Sequence, residues 1–92
     1  MTAEEMFGEL GFKPALYNKV LETRIIYIFT LKNNENVQFF VDFNNTDEEK
    51  YYRYYYNITN PFTSEVLVEE EAKINIEVHK AITKQMEELG WI

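Results

Sequence analysis

The chain has 92 residues, of which 46% are hydrophobic and 16% aromatic, and its formal net charge at pH 7 is −7. Its length predicts a single domain, 1–92, with one modest core, and its hydrophobic content excludes an intrinsically disordered chain. Because cysteine is absent, disulfide bonds and thiolate metal sites are excluded. The negative charge disfavours nucleic acid and anionic membranes as partners. It suits either a basic protein partner or an ordinary acidic domain.

The N-terminal region carries the signals of a capped helix. Thr2 and Glu5 form a capping-box pattern, which predicts a short helix over 3–10. Gly11 follows where a left-handed C′ residue is wanted, so Phe12 is expected to pack on Phe7 in a Schellman motif. This N-terminal region has neither the basic segment nor the apolar stretch of a signal peptide. No apolar run reaches the roughly 18–20 residues of a membrane span, so we expect a cytoplasmic protein.

Three runs rich in β-branched and aromatic residues, 24–31, 37–43 and 51–56, predict an antiparallel meander. Residues 13–20 are interpreted as a connector. A three-residue loop over 34–36, with Asn36 in the left-handed conformation, is expected between the first two strands. A four-residue loop would turn the first strand over. The residues expected to face the core are Ile25, Tyr27, Phe29, Leu31, Val37, Phe39, Val41, Phe43, Tyr52, Tyr54 and Tyr56.

A longer helix is predicted to begin after Asn75, a suitable N-cap, and to end at Gly90. Residues 64–74 before it fit either a short strand or the first turns of the helix. The predicted class is therefore α+β: a three-stranded antiparallel meander, four-stranded if 64–74 add a strand, with a short N-terminal and a longer C-terminal helix on one face. The apolar stripe of the second helix comprises Val78, Ala81, Ile82, Met86 and Leu89.

No pattern of catalytic residues is present. The one histidine, His79, has no partner motif for acid–base chemistry and cannot by itself form a histidine-rich metal site. Residues 42–53 begin like a calcium loop, but Asp47 stands where glycine makes the turn and Arg53 where the bidentate glutamate is needed. We therefore expect a protein that is not an enzyme and has no metal, cofactor or small-molecule substrate.

The side of the meander turned away from the core is predicted to carry an apolar patch ringed by polar residues. Patches of this kind mark protein interfaces, and tyrosine and arginine are favoured in them. We therefore expect contact with a protein partner or a second copy of the chain, and not with nucleic acid or membrane. The opposing interpretation is that the connector over 12–20 covers this patch. The predicted contact residues are Ile26, Ile28, Phe40, Tyr51, Arg53 and Tyr55.

Segments 2–12 (TAEEMFGELGF) and 80–91 (KAITKQMEELGW) resemble the ends of small uncharacterised acidic proteins encoded by phages and prophages of Gram-positive bacteria. The resemblance implies a helix–sheet–helix domain and no catalytic residues. It also suggests an alternative function, because phages make small acidic proteins that imitate DNA and inhibit basic nucleic-acid-binding proteins or nucleases of the host. In that case carboxylates would replace phosphates, and the residues concerned would be Asp47, Glu48, Glu49, Glu69, Glu70 and Glu71.

Overall fold

The computed structural model describes residues 1–15 and 23–92, and these residues form an α+β fold of two helices and a five-stranded antiparallel sheet. The strands lie in the sheet in chain order, β1-β2-β3-β4-β5. The predicted α+β class and antiparallel meander are therefore confirmed. The elements are α1 (Ala3–Glu9), β1 (Lys13–Pro14), β2 (Arg24–Leu31), β3 (Asn34–Asn45), β4 (Lys50–Thr59), β5 (Val66–Glu71) and α2 (Ile76–Glu88).

Helix α1 begins and ends as its capping residues predict. The Thr2 hydroxyl accepts a hydrogen bond from the Glu5 N–H at 3.1 Å, and the Glu5 carboxylate accepts one from the Thr2 N–H at 2.8 Å. At the other end Gly11 has a φ of +93°, and the Phe12 N–H donates to the Phe7 carbonyl at 2.9 Å. The ring of Phe12 then meets that of Phe7 edge-on, with centroids 5.6 Å apart. This is the predicted Schellman motif.

Helix α2 uses the same chemistry at its ends. The Asn75 side chain accepts a hydrogen bond from the Val78 N–H at 2.9 Å. Gly90 has a φ of +79°, and the Trp91 N–H donates to the Met86 carbonyl at 2.9 Å. The closed C-terminal turn directs the Trp91 indole toward the sheet, where its N–H donates to Asn45 at 2.9 Å.

The predicted sidedness of the meander is confirmed. Phe39 of β3 pairs with Phe29 of β2 and with Tyr56 of β4, and Val41 pairs with Tyr27 and Tyr54. Directly opposed residues lie on the same face of a sheet, so these rows share one side. The buried core cluster joins this side to both helices through Ala3, Phe7, Phe12, Tyr27, Val41, Phe43, Val78, Ala81 and Ile82.

The expected three-residue loop between the first two strands is wrong. The turn is the two-residue Lys32–Asn33, and Leu31 pairs with Asn34 while Thr30 pairs with Gln38. Asn36 is not left-handed, since Ser64 is the one non-glycine residue of the described segments with a positive φ. Between the two pairs β2 advances by one residue and β3 by four. The two strands thus differ by three residues, and this odd number brings odd-numbered residues of β2 opposite odd-numbered residues of β3. The predicted sidedness therefore stays correct although the loop is different.

The sheet has more strands than predicted. Within the region left open between strand and helix, Val66–Glu71 is a strand that pairs with β4. Lys13 and Pro14, expected in a connector, form a short strand that pairs with Ile28 and Tyr27. A two-residue strand has no alternation from which to recognise it, and its pairing depends on β2 presenting an open edge. The rest of the predicted connector, 16–20, lies outside the described residues.

Candidate protein-contact face

The six predicted contact residues lie together on the side of the sheet opposite the helices, here called the outer face. Ile28, Phe40 and Tyr55 stand in one cross-strand row. Ile26 and Arg53 flank Asp42 in the next row, and Tyr51 is paired with Asn44 beyond it. The alternation of side chains that sends the core residues inward sends these residues outward. One continuous surface therefore collects residues from three strands.

Tyr55 is the centre of the outer face. Its ring is stacked on that of Phe40, with centroids 5.1 Å apart and an interplanar angle of 14°. The Arg53 guanidinium lies over the ring of Tyr55, 4.4 Å from its centroid. Tyr55 is only 8% exposed. The centre of the face is therefore a stacked aromatic pair with a cation–π contact from Arg53.

Two ion pairs border this centre. Arg24 donates two hydrogen bonds to Asp42, from Nε to Oδ1 at 3.2 Å and from Nη2 to Oδ2 at 2.8 Å. Arg53 donates from Nη2 to the Glu71 carboxylate at 2.9 Å. These hydrogen bonds to carboxylates raise the pKa of both guanidinium groups. Both arginine charges are therefore matched by a carboxylate on the same face.

The apolar residues of the outer face differ in their accessibility. Ile26, Ile28 and Phe40 are half-buried, whereas Tyr51 is 46% exposed. The apolar area that the patch exposes is therefore smaller than its number of apolar residues suggests. Tyr51 is the most accessible aromatic residue of the patch. An apolar centre bordered by charged residues is the usual arrangement of a protein interface.

The proposed covering of this face by residues 12–20 is wrong for the part of that segment that is described. Phe12 belongs to the core on the helix side of the sheet. Lys13 and Pro14 extend the sheet at its edge, and the Ala15 N–H donates to the Ile26 carbonyl at 2.8 Å. Residues 16–20 lie outside the described residues.

The candidate acidic residues are divided between two places. Three stand in and beside the exposed turn between β3 and β4, and three are in β5. Within β5, Glu70 accepts a hydrogen bond from the Tyr56 hydroxyl at 2.7 Å, while Glu71 binds Arg53. Because adjacent strand residues point to opposite faces, Glu70 lies on the other side of the sheet from Glu69 and Glu71. The structure therefore does not gather the six carboxylates on one surface.

Three tyrosines of β4 are expected to ionise late in an alkaline titration. Burial raises the pKa of Tyr54 and Tyr55 above the ordinary 10.0, and the hydrogen bond to Glu70 raises that of Tyr56. Because the folded-state pKa of these phenols is raised, their contribution to the free energy of unfolding is full below about pH 10. It is lost as the pH rises through the folded-state pKa values. Absorbance titration of the folded protein should show these late phenols, and urea unfolding should show lower stability at pH 11 than at pH 9. A titration with every phenol at its ordinary pKa would contradict this prediction.

Other parts of the described chain add little chemistry. An apolar cleft of about 310 Å³ lies between the helices and the sheet, with Phe12, Phe39, Tyr54 and Val78 among its lining residues. His79 is exposed on α2. Within 1–15 and 23–92, no three histidine, aspartate or glutamate residues come together as a metal site, and neither helix is both long and apolar enough to cross a membrane.

Sequence reasoning missed one feature of possible contact surfaces, the outward edge of β5. Val66 and Val68 alternate with Leu67 and Glu69, which is a weak strand signal that also fits a helix start. The fold is that of a small α+β domain with an antiparallel meander, and the outer face is its candidate contact surface. Comparison with protein-family models, curated proteins and solved structures found no match.

Proposed function

We propose that this chain is a non-enzymatic protein-binding or assembly protein, cytoplasmic and of phage or prophage origin, that contacts a protein partner or a second copy through its outer face. The observation that carries the proposal is the stack of Phe40, Tyr55 and Arg53 at the centre of that face. Side chains already held in place lose little conformational entropy on binding, so they make efficient contact residues.

The charges of the outer face favour protein over nucleic acid. Arg53 is the cation at its centre and Arg24 lies at its border, and each donates to a carboxylate of the same face. A nucleic-acid site needs cations that neutralise phosphates, and here that charge is already matched. Tyr51 adds an exposed aromatic ring beside this centre, and tyrosine is among the residues that contribute most to protein interfaces.

The test is binding by variants that change the outer face without entering the core. We expect Tyr51→Ala and Arg53→Ala each to weaken self-association or partner binding about tenfold or more, because the first removes the most exposed aromatic ring of the face and the second removes the guanidinium over Tyr55. Sedimentation equilibrium measures self-association, and capture from host lysate followed by mass spectrometry finds a partner. Lys80→Ala, on the exposed side of α2, is the matched control and should bind as the native chain does.

Salt separates the two candidate functions. Binding through the apolar centre should change little between low and high salt, whereas DNA mimicry requires steep weakening as salt rises. In the second case Glu48→Gln and Glu49→Gln would weaken binding, and Tyr51→Ala would not. A monomer that captures no partner, or outer-face variants that bind as tightly as the control, would refute the proposed function.

A further inference from the structure

The two edges of the sheet are unlike each other. The β1 edge consists of Lys13 and Pro14, and a short strand with lysine and proline is a common way to block the addition of another strand. The β5 edge has six residues, contains neither lysine nor proline, and pairs with β4 on one side. In the described residues no strand pairs with its other side. The β5 edge therefore presents main-chain groups that a further strand could bind.

The register shows which main-chain groups point outward. The Ala72 N–H donates to the Tyr54 carbonyl at 2.9 Å, so this position is a hydrogen-bonded pair. Such pairs recur at every second residue of an antiparallel ladder, which places the N–H and C=O of Glu70 toward β4. The N–H and C=O of Glu69 and Glu71 consequently point away from the sheet, about 7 Å apart along the strand.

Side chains along this edge indicate the chemistry of a strand that would fit it. Glu69 and Glu71 both lie on the outer face. Glu70 stands between them in the strand and points to the other face, and all three side chains are exposed. At the other end of β5, Val66 and Leu67 are exposed, and Phe62 in the preceding loop is 94% exposed. The edge thus combines outward main-chain groups, carboxylates at the two alternate positions 69 and 71, and apolar surface at one end.

A second copy of β5 does not suit this edge. Depending on the register, antiparallel pairing of two copies would place Glu69 opposite Glu71, Glu69 opposite Glu69, or Glu71 opposite Glu65. Like charges directly opposite each other destabilise a strand pair. A segment with lysine or arginine at the positions opposite Glu69 and Glu71 would form opposite-charge pairs in the same places, and at Glu71 this pair would add to the hydrogen bonds already accepted from Arg53.

We propose that β5 binds an extended, basic segment of a protein partner as a sixth antiparallel strand, with lysine or arginine at alternate positions facing Glu69 and Glu71. Main-chain hydrogen bonds to these two residues provide the docking, and the carboxylates select the sequence, as in other cases of strand addition. The carboxylates of Glu69 and Glu71 lie at the border of the outer face, but the outward main-chain groups of β5 and the Tyr51 ring are separate contacts, so this proposal and the proposed function can fail separately.

The test uses a twelve-residue peptide that alternates lysine with valine, and a control peptide of the same composition with the lysines in one block. We expect the alternating peptide to bind at least about fivefold more tightly, since only it matches the carboxylate spacing. Amide hydrogen exchange followed by NMR should show new protection at the N–H groups of Glu69 and Glu71. The Glu70 N–H, already bonded to β4, should change less.

Two variants separate strand addition from general attraction to acidic surface. Glu69→Pro removes an outward N–H that β4 does not use, so it should abolish the added protection. Because proline is tolerated at such edge positions, the sheet itself should be retained. Glu69→Gln/Glu71→Gln retains the main chain and should weaken binding about fivefold or more. Thermal unfolding checks that each variant is folded, and Tyr51→Ala should bind the peptide normally.

Several results would overturn the proposal. Equal binding of the two peptides, or no binding, would exclude recognition of the alternating pattern. Full binding by Glu69→Pro, or protection located elsewhere, would exclude pairing at this edge. Protection of Glu69 and Glu71 that grows with protein concentration in the absence of peptide would show that a second copy occupies the edge. Loss of peptide binding in Tyr51→Ala with Glu69→Pro unaffected would assign the peptide to the outer face.

Discussion

Replacement of Phe43 by alanine is expected to lower the free energy of unfolding by about 3–5 kcal/mol. Phe43 is fully buried, and its ring meets those of Phe7, Tyr27 and Trp91 edge-on and that of Tyr52 at a tilt. These residues come from α1, β2, β4 and the segment after α2. A cavity at Phe43 would therefore loosen contacts between all of those parts at once.

Urea unfolding followed by tyrosine and tryptophan fluorescence measures this loss. Small domains are stable by only about 5–15 kcal/mol, so this loss is a large fraction of the total and should be plainly visible in the urea midpoint. Phe62→Ala is the matched control, because it removes the same atoms from a side chain that is 94% exposed. We expect the control to change stability by less than about 0.5 kcal/mol. Equal losses in the two variants would show that Phe43 is not at the centre of the core.

Removal of the Tyr27 hydroxyl is expected to cost about 1–3 kcal/mol of stability. This hydroxyl donates to the side-chain oxygen of Gln85, and both residues are buried. Tyr27→Phe leaves the Gln85 oxygen shielded from water without this donor. A polar atom left in that condition costs more than the hydrogen bond itself contributed.

The double variant Tyr27→Phe/Gln85→Leu tests the reason for the loss. With both polar partners removed, we expect the double variant to be more stable than the sum of the single losses predicts, by about 0.5–3 kcal/mol. Equilibrium unfolding of the four proteins in this cycle gives the coupling energy directly. Tyr51→Phe, which removes a hydroxyl from an exposed ring, is the control. Additive losses would mean that the two side chains do not act as a pair.

Local chemistry made the helix ends predictable. Glycine at positions 11 and 90 supplies the left-handed residue that closes a helix, and Thr2 and Asn75 supply acceptors for free N–H groups. Each of these contacts spans only a few residues, so it is contained in a short sequence window. Gln85 shows the opposite case. Its position on α2 suggests an ordinary polar residue, and only the approach of Tyr27, 58 residues away, explains its burial.

The two candidate contact surfaces were predictable to different degrees. All six predicted outer-face residues share one side because side-chain alternation within a strand is a local property. Their accessibility was not predictable, since it depends on the stacking of Tyr55 between Phe40 and Arg53. The six candidate acidic residues appear as two similar runs in the sequence. Pairing of β5 with β4 sends Glu70 to one side and binds Glu71 to Arg53.

The sequence by itself determined the α+β class, the helix caps and the side of the meander that faces the core. These features follow from backbone preferences and from the two-residue period of a strand, which act over a few neighbouring positions. Only the tertiary structure decided that Lys13 and Pro14 join the sheet, that 66–71 is a strand, and which edge stays open. Those outcomes depend on hydrogen bonds to strands distant in the chain, and short segments form such bonds only where a neighbouring strand offers unpaired groups.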